Sequence, residues 1–428
     1  MKLYVNQSSL KGRVAIPGSK SHTIRCVVIA SLAHGVSEIM SPLIASDSLS
    51  AVTCYRALGA TIDTSNGTVW KITGTGGELS VGSDLIDVGN SGTTLRFAVG
   101  SAALLKEGTA HFTGDHQICS RPISPLLTSL NGLGADCKSV LNNGMAPLDI
   151  SGTIVGGKTS IEAITSQYLS SLLINTPLAP NDTEIEVPLL NEQPYVEITL
   201  DYLDQAGIEY ENHDFKTFMV KGGQRYQSFK RRVAADFSSA TFFLCGGAIL
   251  DSDLVIEGLD FNDTQGDKAV VEILRQMGAD IIINGQELSM KHKTLTGIDI
   301  DMNAIPDALP ALAVVGCFAK GTTRLLNVAQ ARLKETDRIA VMCKELSAMG
   351  AQIEELEDGL VIHQSKLNSA TLGGHHDHRI VMALSLAAMT LKEESVIDTA
   401  EAMDITFPNY VKLMNAVGGN MRVVDENE

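Results

Sequence analysis

The sequence predicts an α/β (α+β) protein of two pseudo-threefold domains, each built from three copies of a unit about seventy residues long with a buried helix. Three observations carry this. A glycine-ended helical phrase recurs along the chain, a second and nearly uncharged helical phrase recurs at the same period, and the length accommodates six such units.

The first phrase reads YRALGATI, SLNGLGADC, YLDQAGIEY, LRQMGADI, ELSAMGAQI and LMNAVGGNM. Its glycines are Gly59, Gly134, Gly207, Gly278, Gly350 and Gly418, separated by 75, 73, 71, 72 and 68 residues. A glycine after the last helical turn supplies the left-handed backbone without a Cβ clash, and the apolar residue that follows starts a strand. The second phrase begins at Ser21, Thr93, Ser166, Ser238, Asp307 and His378, at spacings of 72, 73, 72, 69 and 71. These segments are apolar all round and are expected to be buried. The glycine-ended helices are amphipathic, with Val270, Ile273, Leu274 and Met277 on one face and Glu272, Arg275 and Gln276 on another, and are expected to be half exposed. Between the helices, GVSEIM, GTAHFTG, DTEIEV, DLVIEG, GTTRLLN and ESVIDT read as strands. A unit whose helix is apolar on every side cannot fold alone. Three-plus-three closed domains therefore fit better than an open solenoid, with the break near FKRRVAAD after the third unit.

Composition narrows the function classes. Of 428 residues 19% are charged and 44% hydrophobic, which excludes disorder as the main state. The net charge of 33 − 50 = −17 argues against a general nucleic-acid or anionic-membrane binder. The seven cysteines are scattered, with no zinc or disulfide frame, and read as reduced thiols of a cytoplasmic protein. No targeting segment is expected, and stretches such as Ala308 to Ala319 are too short to span a bilayer.

Buried helices leave N–H groups unpaired at a positive dipole end, so their starts are natural anion sites. These starts read GSKSHTIR, GNSGTTLR, AITSQYLSS, AADFSSAT, IPDALPA and HHDHRIV. They gather Lys20, Ser21, Arg25, Asn90, Gly92, Thr93, Arg96, Ser166, Gln167, His378 and Arg379, a set suited to a ligand with several phosphates or carboxylates. PGSKS is not a P-loop: five residues separate Gly12 from Gly18, and no Gly-Lys pair follows. GDHQICSRPI adds Arg121. In ARLKETDRI, Lys334 and Arg338 would share one face of a helix with Glu335 beside them. His375, His376 and His378 do not make a metal site, because adjacent histidines point apart and no carboxylate–histidine pattern completes the set.

With GSKS and Arg25, GNSGTT, RPI, SQY, PY, IPDA, RLKETDR, DHR and TFPNY in this order, the chain resembles the 5-enolpyruvylshikimate-3-phosphate synthase family of enolpyruvyl transferases over nearly its full length. The resemblance implies βαβαββ-type units in an inside-out, barrel-like arrangement. One lobe would comprise residues 1–18 plus 233–428 and the other 19–232, hinged about a cleft that holds the active site. It implies transfer of the enolpyruvyl group of phosphoenolpyruvate to the 5-hydroxyl of shikimate 3-phosphate, releasing phosphate, in aromatic amino acid biosynthesis. A monomer would act on these two small molecules without cofactor or metal.

Carried over residue by residue, the catalytic groups would be Lys20, Asp307 and Glu335. Shikimate 3-phosphate would meet Lys20, Ser21, Arg25, Thr165, Ser166, Gln167, Tyr195, Asp307 and Lys334. Phosphoenolpyruvate would meet Lys20, Asn90, Gly92, Arg121, Gln167, Arg338, His378 and Arg379. The sequence departs from the family pattern at Glu192, Gln330, Gln117 and Ile405, where serine, asparagine, arginine and lysine are common. Two rivals are weighed. A transferase acting on UDP-N-acetylglucosamine would carry a cysteine where this chain has His116, and Cys119 stands too close to Arg121 to replace it. A non-catalytic phospholigand-binding relative would be expected to lose Lys20, Asp307 or Glu335.

Overall fold

The structure, a computed structural model, describes residues 1–82 and 84–425. Twelve α-helices are present among the described residues: α1 (Lys20–Leu32), α2 (Ser46–Ala57), α3 (Gly92–Ala102), α4 (Ser124–Gly132), α5 (Ser166–Asn175), α6 (Gln193–Gln205), α7 (Phe237–Ile249), α8 (Ala269–Met277), α9 (Leu309–Phe318), α10 (Arg338–Ala348), α11 (His378–Ala388) and α12 (Tyr410–Ala416). The odd-numbered helices are buried almost throughout and the even-numbered ones expose a face, as the two sequence phrases predict. The six glycines that close the amphipathic helices all have positive φ, from 68° at Gly207 to 109° at Gly134.

The chain forms two compact units. The first comprises Met1–Pro17 and the chain from Ala234 onward, the second Gly18–Val233. Each has its own hydrophobic cluster and three four-stranded sheets. Every sheet follows one scheme, in which the strand after the buried helix pairs parallel to one neighbour and antiparallel to the next. Thr183–Leu190, for instance, runs parallel to Gly157–Ala163 and antiparallel to Thr217–Val220, which pairs in turn with Tyr210–His213. Along it Thr183, Ile185 and Val187 are buried at every second position, as a sheet with one face on a core requires.

Three sheets use a strand from elsewhere in the sequence. Leu10–Ala15 precedes α1, yet pairs parallel to Ser252–Glu257. Lys230–Arg232 precedes α7, yet pairs parallel to Val36–Met40. The N-terminal strand Lys2–Asn6 completes another sheet between Ser395–Ile397 and Asn420–Val424.

The inside-out arrangement expected from the resemblance is present, with helices in the interiors and strands that, among the described residues, close no barrel. Among the described residues there are six separate open sheets, because each repeat ends its sheet at an edge strand such as Thr61–Asp63 or Asp136–Ser139. The interiors belong to helices instead: α7, α9 and α11 contact one another in one unit, and α3 contacts both α1 and α5 in the other. This leaves each buried helix with only its ends available for chemistry. No helix among the described residues is long and apolar enough to cross a membrane.

Candidate active site

In the unit Gly18–Val233, the starts of α1, α3 and α5 are capped by hydroxyls. Ser19 accepts from the His22 N–H, Ser91 from Thr94 and Thr165 from Gln167. An uncharged cap satisfies a donor without cancelling the positive end of the dipole. Lys20, the first residue of α1, places its Nζ 3.2 Å from Asp47 Oδ2 in the first turn of α2. One turn on, Arg25 is almost wholly buried. Its guanidinium donates to Thr199 Oγ1 at 2.9 Å, to the Ser21 carbonyl at 3.1 Å and to the Tyr195 carbonyl at 2.8 Å. Burial lowers the Arg25 pKa to about 10, which leaves it charged at neutral pH. Thr199 donates in turn to Ser170 on α5 at 2.9 Å, so Ser21, Arg25, Tyr195 and α5 form one bonded group.

A second group surrounds the start of α3. Asn90 donates to Asp115 at 2.7 Å and to Gln117 Oε1, and Gln167 donates to Thr93 Oγ1 at 3.2 Å. A Cβ placed on Gly92 would run into the Arg96 guanidinium and come within 3.0 Å of that of Arg121, so the missing side chain lets two cations approach the helix start. Gln117, where the family commonly has a cation, is here an acceptor for Asn90. The third helix start differs, because Glu192 Oε2 accepts from Ser166 N–H at 3.2 Å, Ser166 Oγ at 2.8 Å and Thr165 Oγ1 at 3.1 Å.

The other unit concentrates acids around one arginine. Arg338, with its side chain 1% exposed, donates through Nε to Asp377 Oδ2 at 2.8 Å, through Nη1 to Asp307 Oδ1 at 2.8 Å, and through Nη2 to Glu335 Oε2 and to Asp377 Oδ1 at 3.2 Å. Burial pulls the Arg338 pKa down, but Asp377, Glu335 and Asp307 more than offset it, and the net shift is upward. Arg379 Nη2 lies 3.0 Å from Asp307 Oδ2, and Lys334 Nζ 3.8 Å from Asp307 Oδ1. His378 is buried, with no hydrogen-bond partner on either ring nitrogen among the described residues, and burial pushes its pKa down to about 3, so the ring is neutral. Asp307, Lys334, Glu335, Arg338 and Arg379 thus converge on one cluster.

One expectation of local structure is corrected. Lys334 and Glu335 are not on the helix with Arg338. Asp337 caps α10 by accepting from the Ala340 N–H at 3.0 Å, so the helix begins at Arg338, and Lys334 and Glu335 lie in the connecting segment before the cap. This frees Glu335 to reach back to the guanidinium three residues on. Gln330 is buried and donates to the Asn303 carbonyl at 3.1 Å, while Ile405 ends the 3-10 turn Ala400–Ile405.

Several members of these groups escape sequence reasoning. Asp377 is wholly buried, binds Arg338 and Thr336, and caps α11 by accepting from the Arg379 N–H at 2.9 Å. An aspartate one residue before an apolar helix was the available signal. Asp47 and Thr199 lie in ordinary amphipathic helices, and nothing in the sequence marks them. Among the described residues no group of three or more His, Cys, Asp or Glu is placed to hold a metal ion.

Residues 5–414 match the family model described as EPSP synthase (3-phosphoshikimate 1-carboxyvinyltransferase). The chain belongs to the EPSP synthase family. A 3-phosphoshikimate 1-carboxyvinyltransferase of Acetivibrio thermocellus is 55% identical over 421 residues, covering 98% of this chain and 99% of its own. One from Ruminiclostridium cellulolyticum is 50% identical over 424 residues, covering 99% and 100%. Among solved structures, EPSP synthase from Acinetobacter baumannii superimposes with a TM-score of 0.82 at 27% identity, over 99% of this chain and 100% of that one. The family is one of transferases that carry out the enolpyruvyl transfer step of the shikimate pathway, and the α/β architecture of six repeats is its fold.

Proposed function

We propose that the chain transfers the enolpyruvyl group of phosphoenolpyruvate to the 5-hydroxyl of shikimate 3-phosphate and releases phosphate. One observation carries the reading: Asp307 and Glu335 are held on the same buried guanidinium, that of Arg338. Addition to the enol phosphate needs an acid for the methylene carbon and a base for the attacking hydroxyl. Two carboxyl groups fixed on one cation offer both without moving apart.

In this mechanism the Glu335 carboxyl protonates the methylene carbon while Asp307 takes the proton of the 5-hydroxyl, whose oxygen bonds to the adjacent carbon. The resulting adduct carries phosphate on that carbon. Phosphate then leaves with the C–O bonding pair and takes up the proton held by Asp307, and a proton of the new methyl group returns to Glu335, restoring the double bond. Arg379 and Lys334 beside Asp307 supply positive charge for a polyanionic substrate, and within the unit Gly18–Val233 Lys20, Arg25 and Arg121 do the same. The hydroxyl-capped starts of α1, α3 and α5 suit phosphate and carboxylate groups. Thr165, Ser166, Gln167 and Tyr195 belong to the acceptor's surroundings in this reading, and Asn90, Gly92 and His378 to those of phosphoenolpyruvate. The protein would work as a cytoplasmic monomer, and its seven free cysteines fit a reducing compartment.

The test is phosphate release from phosphoenolpyruvate with shikimate 3-phosphate as acceptor, run beside UDP-N-acetylglucosamine. Release is expected with the first alone. Release with the second alone, or with neither, contradicts the reading.

A further inference from the structure

The start of α5 holds an anion that the protein itself supplies. One carboxylate oxygen of Glu192 gathers the Ser166 N–H, the Ser166 hydroxyl and the Thr165 hydroxyl within 3.2 Å. The residue is 2% exposed. It pays for this position with its backbone, since φ 58° and ψ 39° place a non-glycine residue in the left-handed region, a conformation that persists only where its surroundings hold it. The neighbouring Asn191 fastens the turn by donating from its N–H to the Ala163 carbonyl at 3.0 Å and from its amide to the Ile164 carbonyl at 3.1 Å. A backbone N–H at a helix start and two hydroxyls converging on one oxygen make up a donor set that a phosphate oxygen would equally take.

We infer that Glu192 is a tethered competitor at this helix start, and that it must leave when the phosphate of the acceptor arrives, so that it sets which anions bind there. The inference rests on the reading that a phosphorylated acceptor uses α5. A carboxylate and a phosphate cannot share three donors, because their charges repel strongly at such distances. Phosphate brings more charge and three acceptor oxygens, and displaces the single carboxylate. Monoanions such as chloride or acetate bring neither advantage and are refused. Glu192 is therefore a specificity-determining residue in which affinity is surrendered for discrimination.

Glu192→Gln and Glu192→Ser separate charge from bracing, since the amide keeps the shape and acceptor of the side chain while the serine removes it. Calorimetric titration of each full-length protein with inorganic phosphate, and then with shikimate 3-phosphate, reads the effect. Both variants are expected to bind each ligand about tenfold more tightly than the wild type, the size of one charge-assisted hydrogen bond no longer contested. The variants should also bind acetate measurably where the wild type does not. A brace would behave otherwise, with Glu192→Gln matching the wild type and Glu192→Ser binding more weakly. That pattern, or no phosphate binding by any of the three, overturns the inference. Failure of shikimate 3-phosphate alone, with phosphate tightened in both variants, instead overturns the acceptor reading and leaves Glu192 as the competitor.

Discussion

In the unit Gly18–Val233 the buried helices α1, α3 and α5 are capped by Ser19, Ser91 and Thr165. In the other unit α7 and α11 are capped by Asp236 and Asp377, and Asp307 stands in the turn Pro306–Ala308 that leads into α9. The same repeat thus carries two kinds of start. A hydroxyl cap leaves the dipole's positive end for an anion from outside, whereas a carboxylate cap spends it internally and can also hold a buried arginine. In the proposed reading the hydroxyl-capped starts serve anion binding, and the acid cluster around Arg338 handles protons beside its cations. Glu192, at the start of α5, is the exception in the first unit.

The comparison can be broken from either side. The largest effect is expected from Asp307→Asn, which removes the base from the acid cluster and should lower kcat by about 10³-fold, within the range for lost general acid–base catalysis, in a phosphate-release assay. Next comes Asp377→Asn. It strips the Arg338 guanidinium of a charged partner at a wholly buried position and should cost about 3 kcal/mol in urea unfolding. A smaller effect follows from His378. Its folded pKa of about 3 lies below the ordinary 6.5, so the unfolded chain takes up the proton first. This contribution to stability is complete above the ordinary value and is lost as pH falls toward the folded one. Its slope approaches 1.4 kcal/mol per pH unit, about one bound proton, and should be absent from His378→Gln, so that it appears in the difference between wild type and variant. The smallest change exchanges one cap type for the other. Ser91→Asp should leave Tm unchanged or slightly raised, since aspartate caps as well as serine, yet raise the KM for phosphoenolpyruvate about fivefold by neutralising the α3 start.

Much of the fold was legible because it is written in local chemistry. Glycine after the amphipathic helices and the absence of charge in the central ones are properties of short windows, and both recur six times. Strand exchange was not legible. Leu10–Ala15 and Lys230–Arg232 look like the lead strands of their own repeats, and only tertiary pairing sends each to a distant partner. The acid cluster was half visible. Asp307, Glu335 and Arg338 are singled out by their strings, but a buried charge reveals its partner only in three dimensions, which is why Asp377 and Asp47 are not among the candidates drawn from the sequence. Lys334 and Glu335 were misplaced on a helix for a related reason: the KETDR string gives i and i+4 charges, and Asp337 wins the competition to cap.

The division between binding and proton transfer is tested most directly by Glu335→Gln, with shikimate 3-phosphate affinity measured by calorimetry beside phosphate release. The account predicts affinity within about twofold of wild type and turnover lower by about 10³-fold. Turnover that survives the substitution, or affinity that falls along with it, would contradict the assignment of Glu335 to proton transfer.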